Sequence, residues 1–135
     1  MIVADTNLVA YLLLEGPLLE LAEQAYRKDP EWLAPTLWRS EFRNILAGLM
    51  RRGQLDLPGA TALCKEADSL VTVPDPQPDG GEILRLAQAS GCTAYDCEFV
   101  ALAQRLGVTL VTSDRQVLNA FPETTLSPQD FLDTK

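Results

Sequence analysis

Two short apolar runs, each closed by an acid, constrain this chain more than any other feature. Ile2-Val3-Ala4 leads straight into Asp5, and Val108-Thr109-Leu110-Val111 leads through Thr112 and Ser113 to Asp114. Neither run shows the regular apolar–polar alternation of a half-exposed strand. Both suit strands buried on two faces of a parallel sheet. In open α/β sheets the ligand crevice lies just beyond the carboxyl ends of the strands. Asp5 and Asp114 fall at that place.

The segments between these runs read mostly as helices. Leu8–Leu14 and Leu18–Lys28 have roughly helical apolar spacing, interrupted by Gly16-Pro17. Trp32-Leu33-Ala34 is a short apolar run that predicts a second strand. Pro35-Thr36 then opens a helix to about Gly53, with Thr36 as the expected N-cap. Further helices are predicted over 59–70, 82–90, 93–106, 115–121 and 129–132, and Val71-Thr72-Val73 predicts a third strand. Through the helix at 115–121 the order is β α α β α α β α α β α. It predicts an α/β fold, a three-layer α/β/α sandwich around a short, mostly parallel central sheet. With 135 residues and no internal repeat, residues 1–135 are expected to form a single domain.

Two further acids stand out on the helices. Glu41 lies three residues after Trp38 and four after Leu37, on the apolar stripe of its helix. A carboxylate on a core-facing stripe is costly unless something pairs with it. It also reads as an early-helix acid favoured by the helix dipole. Asp96 follows Thr93 by three residues, as in a capping box with Asp in place of Glu. Asp114 equally suits the cap of the helix after it.

The joint pattern carries more than each acid alone. In a three-layer fold, strand carboxyl ends and the starts of the following helices share one edge. Carboxylates about 5 Å apart repel by roughly 3 kcal/mol per pair at an effective dielectric near 20. Several such pairs would consume much of a small domain's stability of about 5–15 kcal/mol. A bound cation would relieve them. Oxygen ligands without His or Cys select hard ions, Mg²⁺ or Mn²⁺. Such ions serve hydrolytic displacement at phosphorus.

Composition narrows the chemistry. The chain has no histidine, which removes the Ser-His-Asp triad, histidine acid–base catalysis and the usual zinc site. The net charge of −8 and pI near 4.4 argue against a broad duplex-binding face. They leave room for a small phosphodiester site where a metal ion supplies positive charge. Cys64, Cys92 and Cys97 form no C-x-x-C pair and read as free thiols in a reducing, cytoplasmic setting. No apolar run is long enough to span a membrane, and no signal peptide is expected at the start. Arg39 and Arg43 form an i, i+4 pair that reads either as a contact to phosphate or to an acidic partner or as a solvated helix face.

Five segments resemble the PIN-domain family, and within it the VapC-type ribonuclease toxins of prokaryotic toxin–antitoxin pairs. They are D-T-N at 5–7, S-E-F-R-N at 40–44, T-A-Y-D-C-E-F-V-A-L-A at 93–103, T-L-V-T-S-D at 109–114 and S-P-Q-D-F-L at 127–132. The resemblance spans essentially the whole chain. Its specificity lies in order and spacing, not in any single motif. It implies a Mg²⁺- or Mn²⁺-dependent endoribonuclease with catalytic positions Asp5, Glu41, Asp96 and Asp114. Asp5, Asp96 and Asp114 would bind the metal, and Thr6 and Thr112 would support the acids. A further acid found two residues after the fourth in some members is Gln116 here, so a two-metal site is less secure. The resemblance also implies an RNA substrate, an antitoxin partner and a homodimer. Leu12, Leu13 and Leu18 read either as a groove for that partner or as core.

Two other classes compete. A non-catalytic PIN-like scaffold would share the fold, although the four intact acids speak against it. A phosphatase or receiver-type domain also places an Asp after a first buried strand. The haloacid type wants a second Asp where this chain has Asn7, and the receiver type wants a lysine where it has Ser113-Asp114.

Overall fold

The computed structural model describes residues 1–135. Its elements are β1 (Ile2–Ala4), α1 (Thr6–Leu13), α2 (Leu19–Lys28), β2 (Trp32–Leu33), α3 (Leu37–Arg51), α4 (Leu57–Leu70), β3 (Val71–Thr72), α5 (Gly80–Ser90), α6 (Ala94–Leu106), β4 (Leu110–Val111), α7 (Arg115–Ala120), β5 (Thr125–Leu126) and α8 (Pro128–Asp133). The sheet has five strands in the order β3-β2-β1-β4-β5. Every pairing is parallel, with Val3 opposite both Leu33 and Leu110, and Ala4 opposite Val111.

The strand order decides where the site lies. From β1 the chain moves outward to β2 and β3, then crosses back to β4 and β5 on the other side. Right-handed crossovers put the helices of these two journeys on opposite faces. The contacts agree: α1 packs with α2, α3 and α4, whereas α5 packs with α6, and α6 lies on β1 and β4. The order reverses between β1 and β4. That is the switch point where open α/β sheets hold their ligands.

The core explains why such short strands suffice. Val3, Ala4, Val9, Val100, Ala101, Leu102 and Val111 are fully buried. Small and β-branched side chains on β1 let α6 approach the sheet closely. Burying Leu102 alone contributes about 1.5–3 kcal/mol relative to leaving it in water. At the end of α6, Gly107 takes φ 67°, so the chain leaves the helix in the left-handed conformation and turns directly into β4.

Several local expectations shift. Helix α1 begins at Thr6, with Asp5 as its N-cap, instead of at Leu8. Helices α4 and α5 start two residues early, capped by Asp56 and Asp79. Thr36 occupies the cap position of α3 but makes no side-chain cap bond; Gln77 Oε1 accepts its N–H at 3.2 Å. Strand β5 was absent from the expected pattern. All three cysteines are free, and no helix is long and apolar enough to cross a membrane.

Candidate active site at the switch between the first and fourth strands

Asp5 follows β1 directly, and its own N–H donates to Val111 O of β4 at 3.1 Å. Its carboxylate does two jobs. Oδ1 accepts the Asn7 N–H at 3.2 Å as the cap of α1, and Oδ2 accepts the Thr112 hydroxyl at 2.5 Å. Thr112 is buried and is held in turn by its N–H, which donates to Leu126 O of β5 at 3.0 Å. The same Thr112 oxygen accepts the Asp114 N–H at 3.1 Å. One hydroxyl therefore ties together the two acids that follow β1 and β4.

Asp114 caps α7, with Oδ1 accepting the Val117 N–H at 3.1 Å. Asp96 lies in the first turn of α6. Its N–H donates to Thr93 Oγ1 at 3.0 Å, which is half of the capping box read from the sequence. The Asp96 carboxylate does not complete that box; it makes no hydrogen bond to the protein and lines the cleft. Glu41 lies beyond the first turn of α3, so the helix-dipole explanation fails for it. Its partner is Thr6, whose hydroxyl donates to Glu41 Oε1 at 2.8 Å.

These four carboxylates, with Thr112, line one cleft whose apolar wall is Phe99, Leu110 and Val117. Burial, which favours the neutral acid, pushes the Asp5 carboxyl above its ordinary value; the nearby charges of Asp114 and Asp96 push the same way, against the hydrogen bonds from Thr112 and Asn7. Glu41 is raised for the same reasons: burial first, then the charges of Asp5, Asp96 and Glu98, opposed by the Thr6 bond. Burial also raises Glu98 on α6.

The donor set is all oxygen. No three acidic side chains close into a ready-made cage. An oxygen donor set suits Mg²⁺-like ions, which keep several waters and take only one or two carboxylates directly from the protein.

Other sequence candidates fall elsewhere. Arg39 lies away from the acids and pairs with Asp68 of α4 at 3.0 Å. Arg43 lines the same small groove, beside Trp38, Phe42 and Cys64. Leu12 and Leu13 pack partly buried against the core. Leu18 instead lines an apolar groove with Tyr11, Leu14, Leu19 and Ile45. Asn7 and Ile45 border both that groove and the acidic cleft. Asn44 also stands on the cleft's rim and was not singled out from the sequence. The signal was there: it follows Glu41 by three residues and so shares its helix face.

Comparison with known proteins agrees with this architecture. The PIN domain family matches residues 2–122. A curated relative named Ribonuclease VapC3, from Pyrobaculum aerophilum, is 31% identical over 125 residues, covering 90% of this chain and 95% of that one. A second, named Exonuclease VapC9, from the same organism, is 37% identical over 79 residues and 58% of each chain. A crystal structure of a Pyrobaculum aerophilum protein aligns with TM-score 0.79 at 23% identity, over 97% of this chain and 91% of that one. A toxin–antitoxin complex from Klebsiella pneumoniae aligns with TM-score 0.66 at 19% identity, over 95% and 98%. The phosphatase or receiver alternative falls with these matches. The chain belongs to the PIN domain family, on the VapC side of it.

Proposed function

We propose that this chain is a metal-dependent endoribonuclease, with residues 1–135 acting as one domain and Asp5, Glu41, Asp96 and Asp114 as its catalytic acids. The observation that carries the reading is their convergence. Four carboxylates from four separate segments line one cleft at the topological switch point, and burial, with the charges of neighbouring acids, pushes Asp5 and Glu41 above their ordinary values. Such repulsion is costly to keep without a cation. The name of the ribonuclease relative supports RNA as the substrate.

In this reading Asp5, Asp96 and Asp114 hold Mg²⁺ or Mn²⁺, directly or through water. The bound ion supplies Lewis acidity toward the phosphate and lowers the pKa of a bound water. Glu41 accepts a hydrogen bond from the attacking water and orients it, and Thr6 fixes Glu41 from behind. Thr112 holds the Asp5 carboxylate and the Asp114 backbone at their mutual distance.

The same reading carries a toxin's partners. The apolar groove along α1 and α2 fits a segment of a cognate antitoxin, and its border at Asn7 would bring that segment to the acids. Leu84 and Tyr95, 65% and 63% exposed, are the most exposed large apolar side chains of α5 and α6 and are available for a homodimer. Free cysteines support a cytoplasmic setting. Arg39 and Arg43 sit in a separate groove, where Arg39 pairs with Asp68, so they have no role at the scissile phosphate and remain a partner contact or a solvated helix face.

Purified protein incubated with a mixed small-RNA pool tests the proposal. Chelator-sensitive cleavage restored by Mn²⁺ or Mg²⁺ is expected. Folded protein that binds no Mn²⁺ and cuts no RNA would leave a non-catalytic scaffold.

A further inference from the structure

A second cleft adjoins the acidic one. Asp114 lines the acidic cleft, and its two chain neighbours, Ser113 and Arg115, line the next. This neighbouring groove, about 400 Å³ and open to solvent, runs between α7, α8 and α2. Its floor includes Leu118 and Pro128, and Asn119 stands on its wall.

Its charge sets it apart. The chain carries 19 acids against 11 Lys and Arg. Each of the other clefts described above is lined by at least one carboxylate, including the apolar groove with Glu15 and the Arg39 groove with Asp68. The groove beside Asp114 has none, and it has one guanidinium. Arg115 is exposed and makes neither an ion pair nor a side-chain hydrogen bond within the protein. Asn119 and Ser113 are likewise without side-chain partners, whereas Ser127 is engaged in capping α8. Unpaired donors over an apolar floor, with no competing acid, match a single nucleic-acid strand: phosphate to the cation, bases to the apolar and amide surface.

We propose that the RNA strand leaves the acidic cleft across Ser113 and enters this groove, where Arg115 takes the phosphate next to the scissile one. The inference rests on the ribonuclease reading. Arg115 is a positioning residue here: it binds the strand and does not touch the reacting bond. Because the cleft beside it is acidic, removing the one adjacent cation weakens substrate binding more than removing an equal charge elsewhere.

The test uses a fluorescein-labelled single-stranded RNA that the wild type cleaves, with KM, kcat and salt dependence measured for Arg115→Gln, Arg115→Lys and Arg85→Gln. Arg85 is exposed on α5 and lines neither cleft, so its change controls for net charge. Arg115→Gln should raise KM about five- to tenfold with kcat near wild type. It should also lessen the slope of log binding constant against log salt by about 0.7, the value for one single-strand phosphate contact. Arg115→Lys should recover most of the loss, and Arg85→Gln should match wild type. Equal effects of Arg115→Gln and Arg85→Gln, or a fall in kcat alone, would overturn the strand path while leaving the ribonuclease standing. A wild type that cuts no RNA would remove both.

Discussion

Thr112 donates its hydroxyl proton to Asp5 Oδ2 at 2.5 Å across the β1–β4 junction. The same oxygen accepts the Asp114 N–H. A buried threonine thus sets the spacing of two acids that no direct contact would hold, because their charges repel. Thr112→Val removes the donor and leaves Asp5 buried with one partner fewer. It should destabilise the protein by about 1–3 kcal/mol in urea unfolding. Thr112→Ser keeps the hydroxyl and should stay closer to wild type. Equal stability of all three would mean the bond contributes nothing.

Glu41 depends on Thr6 in the same manner. Thr6→Val leaves the fold intact but frees the Glu41 carboxylate. Groups of this supporting kind typically change metal affinity or activity by about 10–100-fold. Cleavage rates should fall for Thr6→Val within that range, while Mn²⁺ affinity by calorimetric titration stays near wild type, because Glu41 is not one of the three acids that hold the ion. An unchanged rate would remove Glu41 orientation from the mechanism.

The acid–acid repulsion predicts a pH dependence with a definite sign. Asp5 and Glu41 bind protons more tightly in the folded chain than their ordinary values of 3.8 and 4.5 imply. Between the ordinary and the raised values the folded state therefore holds more protons than the unfolded one. Their contribution to stability is then greatest at low pH and declines as pH rises through that window. In metal-free buffer, the melting temperature of wild type minus that of Asp5→Asn should fall from pH 4 toward pH 7. Divalent metal at neutral pH should restore it, by about 2.7 kcal/mol at one hundred times its Kd. A pH-independent difference would contradict the raised value for Asp5.

The two curated relatives carry different activity words, one ribonuclease and one exonuclease. The acidic cleft opens to solvent beside a groove lined by Ser113 and Arg115, the chain neighbours of Asp114, so the proposed strand path runs past the acids on both sides and requires no free end. A circular RNA should therefore be cut. If linear RNA is degraded and the circle survives, the enzyme works from ends.

Much of this was legible from residue patterns, and the exceptions have physical causes. Buried strands announce themselves by unbroken apolar runs, so β1 and β4 stood out together with the acids that follow them. β5 did not, because Thr125–Leu126 is two residues long and only one of them is apolar. Yet β5 matters to the site: its Leu126 carbonyl holds the Thr112 amide. The Asp5 cap was missed because the helix was read from its first leucine and not from its first turn. Glu41 on an apolar stripe was a sound signal, and burial with a Thr6 bond is how the fold tolerates it. Asn44 could have been found from its place three residues after Glu41, whereas the carboxylate-free groove needed three dimensions, since no sequence pattern says which surface adjoins the cleft.

The most direct test of the central claim compares wild type with Asp96→Asn on one RNA pool, with Mn²⁺, with Mg²⁺ and with chelator. Asp96 makes no side-chain hydrogen bond to the protein, so its amide variant should fold normally by circular dichroism. The account predicts chelator-sensitive cleavage by wild type and none by Asp96→Asn. Wild-type rates from the folded Asp96→Asn protein, or cleavage indifferent to chelator, would contradict the four-acid metal site.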